Sequence, residues 1–427
     1  MEKVKEVQAP KADARYGNLF QQKRTFEDLQ AKFHIISTGS LIFDIFLSGG
    51  YSPGMARFVA EPEHGKTAQA LTWAKNWLEY WGDKGEVHYF DVEGRLTPKK
   101  MMMNGITNLP RFKERFNIYR YNVFDDISKF LYDITMDNPE GKHYFIVFDS
   151  LDMLITSADM DKTFGEAEKV GAAQVMSTLL MKKVGVYMAD QGHHLHILSQ
   201  IRANINTSNP NSPKTKMSGA NALRHGADII GEIQKNYGGN EGMFIFENPK
   251  GATVKEKGNI VGHYHTVRFN KTMNEKTGQT IRIPIKRGGG IWREREVTDL
   301  ALAFGQITKK GAWFDLNPEW ADKIDIYVNS VIRDAAVEEG VKTAVKAGED
   351  AGKSLGKAEV KALRATLEEA QAKLTPFKIE IKWQGYENLF NYISSNKHIV
   401  NWMDKEFRDH LLADSVAMDV GEENTFE

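Results

Sequence analysis

The segment Ala60-Glu61-Pro62-Glu63-His64-Gly65-Lys66-Thr67 follows the apolar run ARFV and precedes the helical run AQALTWAKNWLEYW. A strand, a tight loop and a helix N-terminus in that order are the setting that the phosphate-loop pattern G-x-x-x-x-G-K-[ST] requires. Successive backbone N–H groups and the positive end of the helix dipole would hold phosphates there. Gly65 permits a close approach, Lys66 would bridge the outer phosphates, and the Thr67 hydroxyl would hold Mg2+. Glu61, Pro62, Glu63 and His64 complete the loop, and Ala68 lies in the first helical turn. Ala60 stands where the pattern has glycine. If that position needs positive φ, alanine costs about 1 kcal/mol.

A metal-bound triphosphate also needs a second carboxylate for the metal and a group that orients water. The run YFIVFDS ends in Asp149 and Ser150, an acid at the end of an apolar strand that would support the ion. A strand-end Asp capping a turn is the alternative. YFDVEG places Asp91 and Glu93 on one side of a strand at period two. Glu93 is the candidate for polarising the attacking water, and a solvated loop carboxylate is its alternative.

These residues need a sheet to carry them. Strand candidates are ARFVA (56–60), VHYF (87–90), YFIVF (144–148), LHILS (195–199) and MFIFE (243–247). Several are unbroken apolar runs, as expected of strands covered on both faces, and the intervening helical patterns predict parallel β-α-β units. Before them, residues 1–24 read as a polar arm. Thr25 and Asp28 form a capping box, with Phe26, Leu29 and Phe33 as one apolar stripe. Whether that stripe docks on a neighbouring copy or on its own core is open. Beyond the core, Val360, Leu363, Leu367 and Leu374 hold helical spacing until Pro376. Gly340, Gly348, Gly352 and Gly356 predict a broken or partly mobile helical region before it. A compact helical end follows, with Trp383, Tyr386, Leu389, Phe390, Trp402, Phe407 and Leu411.

The chain has 427 residues, 56 Lys+Arg against 57 Asp+Glu, and no cysteine. That length suits two or three domains. Without cysteine there is no disulfide scaffold, thiol nucleophile or Cys-ligated metal. No apolar run approaches membrane-spanning length, and the polar start MEKVKEVQAPKADARYG reads as no signal peptide. A cytoplasmic protein is expected. Net charge of −1 argues against nucleic acid only until the charges are placed. From Gln191 to Ala227 there is no acid, while Arg202, Lys214, Lys216 and Arg224 fall inside. Arg268 to Arg295 is a second basic stretch, and Asp414–Glu427 holds five acids and no base. Local fields decide binding. Two other constellations count for less. His193, His194 and His196 straddle a strand start at the wrong geometry for one ion, and His263 and His265 read as surface residues on one strand face.

In their order and spacing these segments resemble the RecA-family recombinases. ISTGSLIFD (36–44), FDVEGRLTP (90–98), FIVFDS (145–150), LSQIRANI (198–205), SGANALRHGAD (218–228) and GIWREREVTDLALAFGQITKKGAWF (290–314) carry the resemblance, which covers about 36–316. Ala60, the extended C-terminal helices and LFNYISSNKHIVNWMDKEFRDHLLA (389–413) look more like the UvsX-type bacteriophage branch. The resemblance implies a RecA-type core over 36–316, an oligomerisation arm over 1–35 and a helical domain with an acidic tail over 317–427. It implies an ATP- and Mg2+-dependent filament on single-stranded DNA that pairs with duplex DNA and exchanges strands.

By position, Glu93 would be the catalytic carboxylate, Lys66 and Thr67 the phosphate and metal ligands, Asp149 the metal support and Gln200 the γ-phosphate sensor. Two DNA loops would follow. The first lies near Ser157–Gln174, where Gln174 replaces a basic residue of cellular members. The second, Arg202–Asn221, offers Asn204, Lys214 and Lys216 with Ser218, Gly219, Ala220 and Asn221, and suits backbone contact better than base stacking. Lys271 would reach the neighbouring subunit's ATP, with Phe269 in place of a second lysine. His225 replaces an interface aromatic and Thr97 an adenine-contacting Asp. A hexameric motor of the same fold and a DNA-coating protein with a degenerate ATPase are the alternatives.

Overall fold

The structure is a computed structural model that describes residues 27, 34–61, 64–107, 110–163, 178–203, 215–217, 221–234, 244–248, 254–351, 353 and 355–419. The arm stripe Phe26, Leu29 and Phe33 lies outside these residues, as does the greater part of both DNA-loop candidates. Among the described residues eleven strands form one sheet. They are β1 (Gly54–Ala60), β2 (Gly85–Asp91), β3 (Phe116–Tyr119), β4 (His143–Asp149), β5 (His194–Ala203), β6 (Thr215–Met217), β7 (Ile229–Gln234), β8 (Phe244–Phe246), β9 (Ile260–Lys271), β10 (Thr280–Lys286) and β11 (Gly290–Ile291). The order is β11-β10-β9-β7-β1-β5-β4-β2-β3, with β6 beside β5 and β8 beside β9. From β7 to β3 the pairing is parallel. The sheet is mostly parallel and flanked by helices, an α/β fold.

Period two along the central strands divides the interior into two cores. Ala56, Phe58, Val87, Tyr89, Phe145 and Val147 face one side, against Ala70, Leu71, Trp73, Ala74, Trp77 and Leu78 of helix α1 (Lys66–Trp81). Met55, Phe90, Ile146, Phe148, Leu195 and Ile197 face the other, covered by Phe124, Ile127 and Leu131 of α2 (Phe124–Met136). Full burial of one such side chain contributes about 1.5–3 kcal/mol, which explains why both faces of β4 are apolar. β1 departs from this on one face at Arg57, which is buried with its Nε–H donating to Ser199 Oγ at 3.3 Å. One expectation fails here. Residues 243–247 do not form a parallel unit: β8 lies antiparallel on β9, which itself runs antiparallel to β7 and β10.

The C-terminal region also differs from a purely helical reading. β12 (Ile307–Lys310), β13 (Trp313–Leu316) and β14 (Lys382–Gln384) make a three-stranded antiparallel sheet. Helices α3 (Arg293–Ala303), α4 (Pro318–Asp350), α6 (Tyr386–Ser395) and α7 (Lys397–Asp419) surround it, with Trp320, Ile324, Trp383, Leu389, Trp402 and Phe407 in their shared core. The expected break falls after Asp350, where α4 ends, while Gly340 and Gly348 lie inside the helix. At Gly340 an added Cβ would stand 2.8 Å from Leu367 Cδ1 of α5 (Lys357–Ala372), so the glycine lets two helices approach. Gly356 is the N-cap of α5, and Leu374 falls beyond its end, largely exposed.

His194 and His196 are wholly buried on one face of β5. His194 Nδ1–H donates to the Ser52 carbonyl at 2.9 Å and its ring stacks on Phe145. Its Nε2 has no partner, so a second proton there would be buried without an acceptor. Burial lowers the His194 pKa to about 4. This depressed value keeps native His194 neutral, so its contribution is complete above the unfolded value near 6.5 and is lost as pH falls through about 4. One residue with that shift is worth about 3 kcal/mol. The denaturation midpoint is expected to fall between pH 6.5 and 4, and less steeply in His194→Gln. An identical pH slope in the variant would remove His194 from the acid sensitivity.

Candidate functional site

The parallel register brings the predicted site residues to one end of the sheet. Ala60 pairs with Gln200 across β1 and β5, and Asp91 with Asp149 across β2 and β4. Ala60, Asp91 and Asp149 end their strands and Gln200 lies level with Ala60, at the carboxyl edge where open α/β sheets bind ligands. A cavity of about 460 Å³ opens there, lined by His64, Gly65, Lys66, Thr67, Ala68, Leu71, Glu93, Arg95, Lys100, Met103, Asn104, Asp149 and Gln200. That size suits a nucleotide-sized ligand.

Gly65 is the N-cap of α1 and takes φ +86°, a conformation that favours glycine. Its neighbour is also close: an added Cβ would stand 2.2 Å from His265 Cε1 on β9. His265 thus packs on the phosphate loop, which corrects its reading as a surface residue. Ala60 ends β1 without positive φ, so the glycine of the pattern is not needed for backbone reasons and the strain penalty does not arise. Lys66 Nζ donates to the carbonyls of Ala60 at 2.8 Å and Glu61 at 3.0 Å. Burial lowers its pKa, while Asp149, Glu93 and Asp152 raise it. Pro62 and Glu63 lie outside the described residues.

Thr67 Oγ1 donates to Asp149 Oδ2 at 2.8 Å, and Tyr89 Oη donates to the same oxygen at 2.6 Å. Burial raises the Asp149 pKa, opposed by these two hydrogen bonds. A hydroxyl and a carboxylate beside a helix N-terminus are hard oxygen donors of the kind Mg2+ takes. The donor set fits the ion. The turn-capping alternative belongs instead to Asp91, whose carboxylate accepts from the backbone N–H groups of Arg95 and Leu96 and from Arg120. Asp91 and Glu93 therefore do not share a strand face: β2 ends at Asp91, and Glu93 stands in the turn beyond it.

Glu93 is mostly buried, with its side chain 16% exposed. Its Oε1 accepts from Ser150 Oγ at 2.7 Å and Gln200 Nε2 at 3.1 Å, and its Oε2 faces Arg95 Nη1 at 3.4 Å. Gln200 is also fixed through its backbone N–H, which donates to Asp152 Oδ2 at 2.6 Å. The arrangement is a phosphate loop, an oxygen pair for a metal and a held carboxylate around one cavity. Chemically it can bind and orient an anionic substrate and steer a water.

Sequence reasoning missed the wall formed by Arg95, Lys100, Met103 and Asn104. Its signal was the helical spacing that follows Pro98, which sets Lys100, Met103 and Asn104 on one side. Thr97 does not line the cavity. It caps the short helix Pro98–Met103, its hydroxyl accepting from Lys100 N–H. Lys271 and Phe269 lie outside this cavity's lining. Lys271 Nζ donates to the His225 carbonyl at 2.8 Å, while Phe269 is a buried core residue stacked on Phe46. Of the second DNA loop, backbone pairing is described between Arg202 and Lys216. Gln174, Asn204, Lys214, Ser218, Gly219 and Ala220 lie outside the described residues, and Asn221 begins a short helix. No helix among the described residues is long and apolar enough to cross a membrane.

No family model matches the chain. Protein RecA of Solidesulfovibrio magneticus is 26% identical over 298 residues, 69% of this chain and 76% of its own. Protein RecA of Halalkalibacterium halodurans is 25% identical over 298 residues, again 69% and 76%. Protein RecA of Nitratidesulfovibrio vulgaris is 29% identical over 174 residues, 41% of this chain and 44% of its own. At about a quarter identity over most of the chain, these relatives support the RecA family.

Proposed function

We propose that this chain is an ATP-dependent DNA recombinase of the RecA family, of the UvsX-type bacteriophage branch, working in the cytoplasm of a bacterial host. It polymerises on single-stranded DNA, pairs it with a homologous duplex and exchanges strands. The observation that carries this reading is Glu93 held by Ser150 and Gln200 beside Lys66 and the Thr67–Asp149 pair. Residues 36–316 form the ATPase core, 1–35 the subunit-contact arm and 317–427 the C-terminal domain.

In this mechanism Lys66 exchanges its loop carbonyls for the outer phosphates of ATP, and Glu93 orients the attacking water. Thr67 and Asp149 would hold Mg2+, which supplies charge neutralisation on the phosphates when bound. Gln200 reports the terminal phosphate. The same strand carries the report onward: β5 continues from Gln200 to Ala203, and Ile201, Arg202 and Ala203 pair with Met217, Lys216 and Thr215 of β6. The proposed DNA loop thus takes Arg202 and Lys216 from two paired strands, one of which carries the sensor, with Asn204 and Lys214 between them and Ser218, Gly219, Ala220 and Asn221 after β6. Gln174 belongs to the other DNA loop. Lys271 stands away from its own chain's cavity, which suits a role at a neighbour's ATP.

The test is ATP hydrolysis with and without single-stranded DNA, with electron micrographs of the same mixtures. Turnover is expected to rise on adding DNA, with helical filaments in ATP. Turnover indifferent to DNA, or closed rings, would overturn the reading.

A further inference from the structure

The turn after β2 fixes one residue over the nucleotide cavity that no role above uses. Arg95 N–H donates to Asp91 Oδ1 at 3.0 Å, and the Arg95 carbonyl accepts from Lys100 Nζ at 2.8 Å. Its backbone is therefore pinned at both polar groups. Arg95 lines the cavity with Lys66, Thr67, Glu93 and Gln200, and its guanidinium stands 3.4 Å from Oε2 of Glu93. The side chain is 71% exposed, and an ion pair so open to solvent contributes little to stability. Folding does not account for it.

We propose that Arg95 is a catalytic-site cation supplied by the chain to its own ATP, its guanidinium shared between Glu93 Oε2 and the terminal phosphate. This deepens the proposed function and rests on it. Charge is the first reason. The cavity lining sets Lys66, Arg95 and Lys100 against Glu93 and Asp149. Without Arg95 the acids balance the remaining cations, and an anionic magnesium triphosphate would meet no net positive charge. Geometry is the second. Glu93 must come close to the terminal phosphate to orient water, and two anions at that distance repel. A planar fork can donate to a carboxylate oxygen and a phosphate oxygen at once, which an ammonium does less well. The third is the way Glu93 is held. Ser150 and Gln200 occupy Oε1 and leave Oε2 to the guanidinium, so the carboxylate is oriented from both sides.

The measurement is the affinity for ATP and for ADP, together with turnover on single-stranded DNA, in wild type, Arg95→Ala, Arg95→Lys and Lys66→Ala. Arg95 is on an exposed turn, so its variants should fold, and their melting curves check this. Arg95→Ala is expected to weaken ATP binding by about tenfold and lower turnover by about ten- to a hundredfold, less than an arginine fully enclosed at a phosphate. ADP affinity should stay at the wild-type value, and Arg95→Lys should fall between. An equal loss for ATP and ADP would overturn the assignment, because the contact would then lie away from the terminal phosphate. Wild-type affinity and turnover in Arg95→Ala would overturn it too, as would faster turnover, the sign of a residue that restrains Glu93. If wild type binds ATP and Lys66→Ala does not, these failures concern Arg95 alone. If wild type binds neither nucleotide, the nucleotide site falls and Arg95 with it.

Discussion

Lys66→Ala is expected to reduce ATP turnover by about a hundred- to a thousandfold, the scale of removing one preorganised donor from developing charge. The loss should appear in ATP affinity as well, because the ammonium would meet the phosphates in the ground state. The structure explains why no neighbour replaces it. Lys66 is buried, and its two hydrogen bonds go to loop carbonyls, Ala60 and Glu61, that can release it without a charge being stranded. Arg95 and Lys100 line the same cavity but extend from the turn and helix after β2, not from the phosphate loop. Folding should survive, since the apolar face of α1 begins at Ala70 and Leu71 and is untouched. Lys66→Arg separates charge from shape: a planar fork in a site built around a point charge should recover binding only in part. Turnover in Lys66→Ala within tenfold of wild type would remove the loop from the chemistry.

The parts of this site that were legible in the sequence are those whose signal is local. A strand, a loop and a helix beginning at Lys66 are contiguous, and period two in YFIVF fixes two buried faces. Asp149 could be placed at a strand end for the same reason. What pairs with what is a different matter. β8 reads as another apolar run, yet it lies antiparallel on β9, because nothing inside a short strand encodes the direction of its partner. β7 went unseen although it sits beside β1: IIGEIQ is brief and its Glu232 and Gln234 interrupt the apolar pattern. The C-terminal sheet was hidden for another reason. β13 pairs with β14 across the helices α4 and α5, and Trp383 and Phe314 become partners only once those helices have folded back. His265 shows the same limit at the site itself. Its contact with Gly65 joins β9 to the phosphate loop, so an alternating polar strand read alone could only suggest solvent.

Glu93→Gln should separate binding from chemistry. Its Oε1 accepts from two donors, Ser150 Oγ and Gln200 Nε2, while its Oε2 faces Arg95. An amide has one oxygen and one NH2 group. The oxygen must stay toward Ser150 and Gln200, since turning the NH2 that way would bring donors against a donor. The NH2 then takes the place of Oε2, against the Arg95 guanidinium, and the group that would take a proton from water is gone. The frame around residue 93 survives and its basic oxygen does not. ATP binding is expected within about threefold of wild type, because Lys66, Thr67 and the phosphate loop are untouched, while turnover falls by about a hundred- to ten-thousandfold, the range for a positioned general base. Glu93→Asp restores the charge but draws the carboxylate back by one methylene from Ser150, so it should recover only part of the loss. A Glu93→Gln protein that cannot bind ATP would make Glu93 a ground-state ligand. One that turns over normally would leave Ser150 and Gln200 holding a bystander.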